Sequence, residues 1–337
     1  MKILLLAGGQ SSEREVSLAS ARAVHESLCR QGHEVLAIDP ADGRSLLDGK
    51  GRFPDRDNQG GEALPVAVSS GALATTLERP DARDIEIVFI GLHGGSGENG
   101  TVQALLDLAG RKYTGSGMAA SAIAMNKAVA KRLMQSEGIR TPEWKLYRLR
   151  NRLDVAELAA DIAKSFSLPL IVKPNDSGST VGLTKVDRPE QLTGAIEVCA
   201  RESRDVLVEA HVPGREMTVA VLDGEPLPVV EIIPSSGLYD YEAKYTKGKS
   251  QYVAPAKISE QTSTSLQQAA ARVYEVIGAS GLARVDFILD EAGQGYCLEL
   301  NTLPGMTALS LAPMAAACIG IKFDQLVDRI IRSALKE

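Results

Sequence analysis

Aromatic residues and cysteines are scarce in this sequence. Aromatic residues make up 4% of the 337 residues, and Trp144 is the single tryptophan. This scarcity argues against a platform on which nucleic-acid bases or sugar rings would stack. The four cysteines lie far apart and form no CxxC pair, which favours reduced, mostly buried thiols in a cytoplasmic protein. They are Cys29, Cys199, Cys297 and Cys318.

The sequence also lacks an excess of positive charge and a long hydrophobic run. Its formal net charge is −6 at pH 7, so no broad basic surface is expected, although a few lysines and amides suffice for a small phosphate ligand. The N-terminal apolar run ends at Ala7, soon before Glu13-Arg14-Glu15, which is typical of a buried strand and not of a signal peptide. No run approaches the roughly 20 residues that cross a bilayer. We expect a cytoplasmic protein without a nucleic-acid or membrane partner.

The first residues predict a parallel sheet. Residues 3–7 form a short apolar strand, and apolar residues recur at helical spacing over residues 16–30. A second strand at residues 35–38 completes a βαβ unit, in which the two strands run parallel. Residues 40–83 have a weaker pattern and are expected to form a surface excursion.

Beyond Gly117 the sequence mixes helical periodicity with the alternation typical of antiparallel strands. A single long helix is predicted to run to about residue 135. Residues 216–233 alternate apolar and polar side chains around the turn Asp223-Gly224-Glu225, as an antiparallel hairpin does. Strands are also predicted at 170–173, 181–186, 206–209, 283–289 and 296–301, and helices at 190–200 and 263–277. The predicted fold class is therefore α/β followed by α+β, with room for two or three domains.

Two glycine-rich stretches resemble phosphate motifs but fail on inspection. Residues 95–100 match GxGxxG, yet no acidic residue follows at residues 119–124, where a dinucleotide site needs one for the ribose. Gly248-Lys249-Ser250 resembles the end of a P-loop, but Ala243 stands where the first glycine of that motif is required. Neither a nicotinamide or flavin site nor a Walker motif is favoured.

A better phosphate site follows the apolar strand that ends at Lys173. The next residues, 175–182, are rich in Ser, Gly and Thr. A lysine ammonium beside a loop of small residues is typical of a nucleotide site, because the backbone amides close over the phosphates. Taken alone, an ordinary surface lysine beside a turn remains the alternative interpretation.

Three oxygen-bearing side chains on the last two strands suggest a metal site. Alternation along a strand puts Arg284 and Asp286 on one face, and Glu299 and Asn301 on one face. If the strands are neighbours, Asp286, Glu299 and Asn301 converge as hard ligands suited to Mg²⁺. Two solvated strand faces are the alternative, but carboxylates among apolar neighbours are costly without a partner.

These features together resemble the D-alanine–D-alanine ligases of the ATP-grasp superfamily. The strings that carry the resemblance lie at residues 12–17, 92–94, 113–117, 239–245 and 301–307. The resemblance implies an N-terminal parallel α/β (pre-ATP-grasp) domain at residues 1–116, which binds substrate. A two-subdomain ATP-grasp fold would follow, with a central subdomain at 117–208 and a C-terminal subdomain at 209–337 that carries the metal site and a lid loop.

The resemblance also implies an ATP site and a metal site. Phosphates would be held by Lys127, Lys173, Lys244, Ser177, Ser179 and Thr180. Adenine and ribose would be held by Glu209, Ala210, His211, Val212, Glu216 and Leu298. Two Mg²⁺ ions, or Mn²⁺, would be held by Asp286, Glu299 and Asn301.

For the amino-acid substrates, the resemblance implies that Glu15 pairs with the ammonium of a first D-alanine near His93. Ser310 would take the carboxylate of a second D-alanine, while Arg284 and the amide of Gly305 would form an oxyanion site. Ser179, Tyr245 and Glu15 would form the hydrogen-bonded trio that closes the lid.

The implied activity is ATP-dependent ligation of two D-alanines through a D-alanyl phosphate, for peptidoglycan precursors, by a homodimer. Alternatives are an ATP-grasp ligase with another second substrate, such as D-serine, D-lactate or another amino acid, and a catalytically silent nucleotide-binding module. Tyr245 within the Glu-Ala-Lys-Tyr string favours an amine as second substrate. Leu238 and His211 depart from the aromatic residues common in the family, which puts ATP affinity in question.

Overall fold

The N-terminal sheet is parallel, as predicted. In the computed structural model, which describes residues 1–54, 71–149, 155–178, 180–235 and 248–336, this sheet has the strand order β2–β1–β3. The strands are β1 (Lys2–Leu6), β2 (Glu34–Ile38) and β3 (Ile87–Ile90). The last four residues of β1 are fully buried, because the central strand of a parallel sheet is covered on both faces.

Four helices belong to this N-terminal part. They are α1 (Arg14–Arg30), α2 (Gly71–Glu78), α3 (Gly95–Glu98) and α4 (Thr101–Leu108). Helix α2 contradicts the expectation that residues 40–83 form only a surface excursion. Leu73 and Leu77 lie one turn apart and pack into the core beside β1, so the segment presents one apolar helical face.

The single long helix predicted beyond Gly117 is wrong, because Asn126 divides it. The two helices are α5 (Met118–Met125) and α6 (Lys127–Ser136). Asn126 has an extended backbone, and its side chain caps α6 by accepting a hydrogen bond from the Val129 N–H at 3.2 Å. The Lys127 N–H donates to the Asn175 carbonyl at 3.0 Å. The break therefore fixes the start of α6 against Asn175.

The second sheet is antiparallel and has the strand order β4–β7–β5–β6. Its strands are β4 (Trp144–Arg148), β5 (Leu170–Pro174), β6 (Thr184–Val186) and β7 (Asp205–Ala210). Two helices pack on it, α7 (Val155–Ser165) and α8 (Leu192–Glu202). The sequence patterns predicted β5, β6, β7 and α8, but not β4 or α7.

The third sheet is also antiparallel, with the order β11–β10–β8–β12–β13 and with β9 paired to β8. Its strands are β8 (Arg215–Leu222), β9 (Glu225–Pro226), β10 (Val230–Pro234), β11 (Ser250–Val253), β12 (Leu282–Leu289) and β13 (Gly295–Asn301). The helices of this part are α9 (Glu260–Ile277), α10 (Leu311–Ala317) and α11 (Phe323–Lys336). The predicted hairpin around Asp223 is confirmed.

The side chains of strand β12 alternate between two faces, one packed in the apolar core and the other facing a cavity. Val285, Phe287 and Leu289 are buried in the apolar core, whereas Arg284 and Asp286 on the opposite face are half-buried. Such alternation is what a strand does when one face packs and the other faces a cavity. The predicted neighbours β12 and β13 pair directly, with Asp286 opposite Glu299.

The four cysteines are all free thiols, but burial was predicted correctly for only two of them. Cys199 and Cys297 are buried, while Cys29 and Cys318 are exposed. Within the described ranges, no helix combines the length and the apolar character that crossing a membrane requires.

A buried ion pair holds the loop between β1 and α1. Asp39 is fully buried, and its Oδ2 lies 2.6 Å from Arg14 Nη2. Asp39 Oδ1 accepts hydrogen bonds from the Gly9 N–H at 3.0 Å and the Ala41 N–H at 2.9 Å. Arg14 also donates to the Gly9 carbonyl at 2.8 Å. Because the ion pair is also hydrogen-bonded to the backbone of Gly9 and Ala41, it orders the chain just before α1.

Gly8 packs so closely against this ion pair that Gly8→Ala should be strongly destabilising. Its φ is +86°, and an added Cβ would lie 2.7 Å from Asp39 Oδ2. Gly32 has a similar φ of +78° but open space around it. We expect Gly32→Ala to lower the free energy of unfolding by about 1 kcal/mol, from backbone strain alone, and Gly8→Ala by at least about 2 kcal/mol more. Urea unfolding at neutral pH measures both, and equal losses would contradict this packing.

Candidate functional site

A cavity of about 500 Å³ lies between the second and third sheets. This volume falls within the range of small-molecule sites. Its walls are largely apolar, with Ile171, Met217 and Leu298 among them. Its charged lining includes Lys127, Lys173, Lys185, Glu209, Glu216, Asp286 and Glu299. The cleft therefore combines an apolar slot with cations and carboxylates at defined positions.

Glu209 on β7 is held between two ammonium groups. Its Oε1 lies 2.9 Å from Lys173 Nζ and 2.9 Å from Lys131 Nζ. Burial alone would raise the pKa of Glu209, but the two lysines outweigh burial and hold its pKa below the usual value. Glu209 is therefore an ionised carboxylate, which accepts hydrogen bonds and donates none.

Lys131 was missed by the sequence analysis. It lies four residues after Lys127 on α6, the spacing that places two side chains on one face of a helix. That spacing was the available signal. Lys127 Nζ lies 3.3 Å from Glu299 Oε2 and donates to the Ser177 carbonyl at 2.7 Å. Two lysines on one face of α6 thus contact two different carboxylates of the cleft, Glu299 and Glu209.

The three residues predicted to bind metal do come together. Asp286 and Glu299 are directly opposite across β12 and β13, and Asn301 Nδ2 donates to Asp286 Oδ2 at 3.0 Å. Asp286 also accepts hydrogen bonds from Thr218 at 2.6 Å and from Arg284 at 2.9 and 2.8 Å.

This donor set fits a hard divalent cation that takes part of its coordination from a ligand. In the part of the chain that the structure describes, no three His, Cys, Asp or Glu side chains form a metal cluster by themselves. Two carboxylates and an amide oxygen are instead the protein share typical of Mg²⁺ or Mn²⁺ bound together with phosphate oxygens. The fit is therefore to a metal–nucleotide pair.

Glu15 does not reach the cleft. It is exposed in the first turn of α1 and does not line the cavity. Glu13, two residues earlier, is buried. A Cβ added at Gly178 would lie 2.9 Å from Glu13 Oε2, and one added at Gly94 would lie 2.5 Å from it. The same string of sequence contains both glutamates, and the start of α1 at Arg14 decides which of them turns inward.

Glu98 is a further carboxyl group that sequence reasoning missed. It is half-buried and lines a small cavity together with Lys127, Glu299 and Asn301. Burial, followed by the nearby charge of Glu13, raises the pKa of Glu98 to about 8. The glycine-rich stretch 95–100, set aside as a dinucleotide motif, therefore contributes a polar side chain to this region.

His93 is buried and links the N-terminal part to the loop after β13. One ring nitrogen, Nδ1, lies 2.9 Å from the Leu303 carbonyl, and the other, Nε2, lies 2.9 Å from Ser20 Oγ. Ser20 Oγ in turn accepts a hydrogen bond from the Met306 N–H at 3.1 Å. Because a carbonyl only accepts, Nδ1 carries the proton and Nε2 accepts from Ser20. Gly305, between the two anchored residues, is thereby held in place.

The remaining predicted residues fall into three groups. Gly305 and Ser310 are adjacent, since a Cβ added at Gly305 would lie 3.0 Å from Ser310 Oγ. Cavity-lining residues among the predicted set are Ser177, Thr180, Ala210, His211, Val212, Glu216 and Leu298. Ser179, Leu238, Lys244 and Tyr245 lie outside the described residues.

Two family models match most of the chain. The model described as D-ala D-ala ligase N-terminus matches residues 2–116, and that described as D-ala D-ala ligase C-terminus matches residues 133–332. The chain belongs to the D-alanine–D-alanine ligase family. Among curated members, the D-alanine–D-alanine ligase of Gloeobacter violaceus is 43% identical over 337 residues, covering 99% of this chain and 100% of the relative. That of Syntrophotalea carbinolica is 41% identical over 333 residues, covering 99% and 96%.

Solved structures of two ligases share the fold. The D-alanine–D-alanine ligase from Bacillus anthracis complexed with ATP has a TM-score of 0.78 and 27% identity, covering 100% of this chain and 98% of that one. The VanG D-Ala:D-Ser ligase from Enterococcus faecalis also has a TM-score of 0.78, with 29% identity and 99% coverage of both chains. The ATP-grasp fold expected from the resemblance is therefore confirmed.

The buried His93 should make stability depend on pH. Burial lowers the pKa of His93, so below about pH 6.5 the unfolded chain takes up a proton that the folded protein does not. Stability from this residue is complete above about pH 6.5 and is lost as the pH falls. His93→Gln removes this contribution, so urea unfolding should show the advantage of the wild type over the variant shrinking between about pH 7.5 and pH 5.5. The other three histidines are common to both proteins, and a constant difference across that range would contradict a neutral His93.

Proposed function

We propose that this protein joins two D-alanines into D-alanyl-D-alanine, using ATP and passing through a D-alanyl phosphate, as a step in peptidoglycan precursor synthesis. The observation that carries the proposal is one cleft lined by the paired Asp286 and Glu299, with Lys127 beside Glu299, and by the ion pair of Lys173 with Glu209. Membership of a family whose curated relatives are named D-alanine–D-alanine ligases supports the choice of reaction.

The cavity suits ATP in one orientation. Glu209, with the backbone of Ala210 and Val212, lies at the end proposed for adenine, and Glu216 would take the ribose hydroxyls. Lys127 and Lys173 would hold the phosphates, aided by the residues around Ser177 and Thr180. Thr180 has a left-handed backbone, with φ of +62°, a conformation found in turns that point amides at anions. Ser179 and Lys244 would take part as well.

Asp286, Glu299 and Asn301 would hold the magnesium or manganese ions, two by analogy with the family. A divalent cation supplies charge neutralisation to phosphates during phosphoryl transfer. The carboxylates themselves are oriented by neighbours, since Thr218 and Arg284 both donate to Asp286.

Glu13, and not Glu15, would bind the ammonium of the first D-alanine. Its carboxylate lies beside Gly178 and Gly94, at the edge of the region where Arg284 and Gly305 would form an oxyanion site. Ser310 would bind the second carboxylate, and Tyr245 would close the lid. His93 would hold the loop of Gly305 without touching substrate, because both of its ring nitrogens are already engaged.

The reaction follows from these positions. A carboxylate is a poor electrophile, so the γ-phosphoryl group of ATP is first transferred to it, and the neutral amine of the second D-alanine then displaces phosphate. Lysine ammonium groups and correct positioning lower the barrier to the first step. Donors aimed at the tetrahedral oxyanion lower the barrier to the second, and each is typically worth a few kcal/mol.

We further propose a cytoplasmic location, where ATP is supplied, and a homodimer. The division into residues 1–116, 117–208 and 209–337 is proposed as the domain organisation. The first sheet, whose last strand ends at Ile90, lies within the first of these parts, whereas strand β7 of the second sheet runs to Ala210 and so extends two residues past the proposed second boundary.

A second candidate function is ligation of D-alanine to D-serine. The observation in its favour is that the VanG D-Ala:D-Ser ligase matches this fold as well as the D-alanine–D-alanine ligase from Bacillus anthracis does. Identity of about 40% to curated D-alanine–D-alanine ligases favours the first candidate.

Phosphate release from ATP with single amino acids separates these functions. With Mg²⁺, we expect turnover with D-alanine alone and a rate with L-alanine lower by at least about 100-fold, because a site that positions three substituents of a chiral carbon disfavours its mirror image. Mass spectrometry of the product identifies the dipeptide. Turnover that requires D-serine, or that is equal with L-alanine, would contradict the proposal.

The two glutamates of the N-terminal string should differ sharply in kinetics. Glu13→Gln removes a buried charge from the proposed ammonium site, so we expect the KM for D-alanine to rise by at least about 10-fold. Glu15→Gln changes an exposed side chain and should stay within about 2-fold of the wild type. Steady-state kinetics with D-alanine varied at saturating ATP measures both, and the opposite ranking would refute the assignment of Glu13.

A further inference from the structure

Lys131 is a fully buried lysine that does not line the cavity. Its side chain is 0% exposed, and its ammonium lies 2.9 Å from Glu209 Oε1 and 2.5 Å from Thr141 Oγ1. Glu209 and Lys173 line the cavity, whereas Lys131 is not among the lining residues and is fully buried. Lys131 therefore cannot touch a ligand in the cavity, but it does touch a residue that can.

Stability does not account well for a charge at this position. Removing an ammonium group from water costs several kcal/mol, and a buried ion pair is often no more stabilising than packed apolar side chains of similar volume. The same face of α6 buries Ala128, Ala130 and Met134, so an apolar residue at position 131 would suit the packing. A role in the ionisation and orientation of the Glu209 carboxylate explains a lysine at this position better.

The two lysines around Glu209 are not equivalent. Lys173 lines the cavity, and in the proposed function its ammonium also serves the phosphates, so a bound nucleotide shares it. Lys131 does not line the cavity, so a bound nucleotide would not compete with Glu209 for its ammonium group. Of these two cations, Lys131 is the permanent partner of the carboxylate.

We propose that Lys131 is a positioning residue that keeps Glu209 ionised and fixed in orientation, and thereby sets the preference of this cavity for a base that bears an exocyclic amino group. This inference rests on the proposed function of the cavity as a nucleotide site. Its physical basis is that an ionised carboxylate only accepts hydrogen bonds. It therefore pairs with the 6-amino group of adenine and repels the 6-oxo group of hypoxanthine, which also presents lone pairs.

Without Lys131, Glu209 would lose this selectivity. Burial raises the pKa of Glu209, and the charge of Lys131 is the largest of the effects that oppose burial and lower this pKa. A Glu209 that is partly protonated can donate to a 6-oxo group, and a Glu209 that is less firmly held can turn away from the base. Both changes favour the oxo base relative to the amino base.

Lys131→Met tests the inference, with ATP and ITP as probes because they differ at the 6-position of the base. We expect the affinity for ATP, measured by calorimetry, to fall by at least about 10-fold, and the preference for ATP over ITP to fall by a similar factor. In kinetics, the KM for ATP should rise while kcat stays within about 3-fold. Lys164→Met, which removes an exposed lysine from α7, is the matched control and should leave both ratios unchanged.

Thr141→Val provides a second variant in case Lys131→Met does not fold. It removes the hydroxyl that holds the Lys131 ammonium and keeps the side-chain shape, so the preference for ATP over ITP should fall in the same direction, by about 3-fold. If a folded Lys131→Met or Thr141→Val lowers the melting temperature but leaves the ATP-to-ITP ratio unchanged, Lys131 is merely structural and the inference is overturned. Because calorimetry needs no turnover, failure of the ligase assay alone would count against the proposed function and not against this inference.

Discussion

The pairing of β12 with β13 is the interaction on which the proposed chemistry depends. Its antiparallel register sets Asp286 opposite Glu299, next to an irregularity in the pairing at Leu298, and both carboxylates line the cleft while Val285 and Phe287 enter the core. A slip of one residue on either strand would send a carboxylate into the apolar core and an apolar residue into the cleft. The packing that stabilises the sheet is therefore the same packing that positions the proposed metal ligands.

Helix α6 connects the two ends of the cleft. Lys127 lies beside Glu299 at the proposed metal end, and one turn later Lys131 lies beside Glu209 at the proposed base end. Both positions follow from the break at Asn126, which starts the helix against Asn175. A shift of this helix would disturb both ends together, so a change far from the reacting atoms can still alter nucleotide binding.

Periodicity predicted the parallel opening sheet, the final pair of strands and the shared face of Asp286, Glu299 and Asn301, because it reports which side chains share a face. It could not locate the residues whose environment is set by contacts distant in sequence. Glu13 and Glu15 flank Arg14 symmetrically in the sequence, but Glu13 is buried just before α1 begins and Glu15 is exposed in its first turn, next to the buried Arg14–Asp39 pair. The burial of Lys131 likewise depends on β7, which lies some 80 residues later in the chain.

A crystal structure with ADP and Mn²⁺, with anomalous diffraction recorded at the manganese edge, would locate both the metal and the nucleotide. We predict an anomalous peak between the carboxylates of Asp286 and Glu299, with the adenine amino group against Glu209. A metal bound without contact to either carboxylate, or a nucleotide outside the cavity between the second and third sheets, would contradict it.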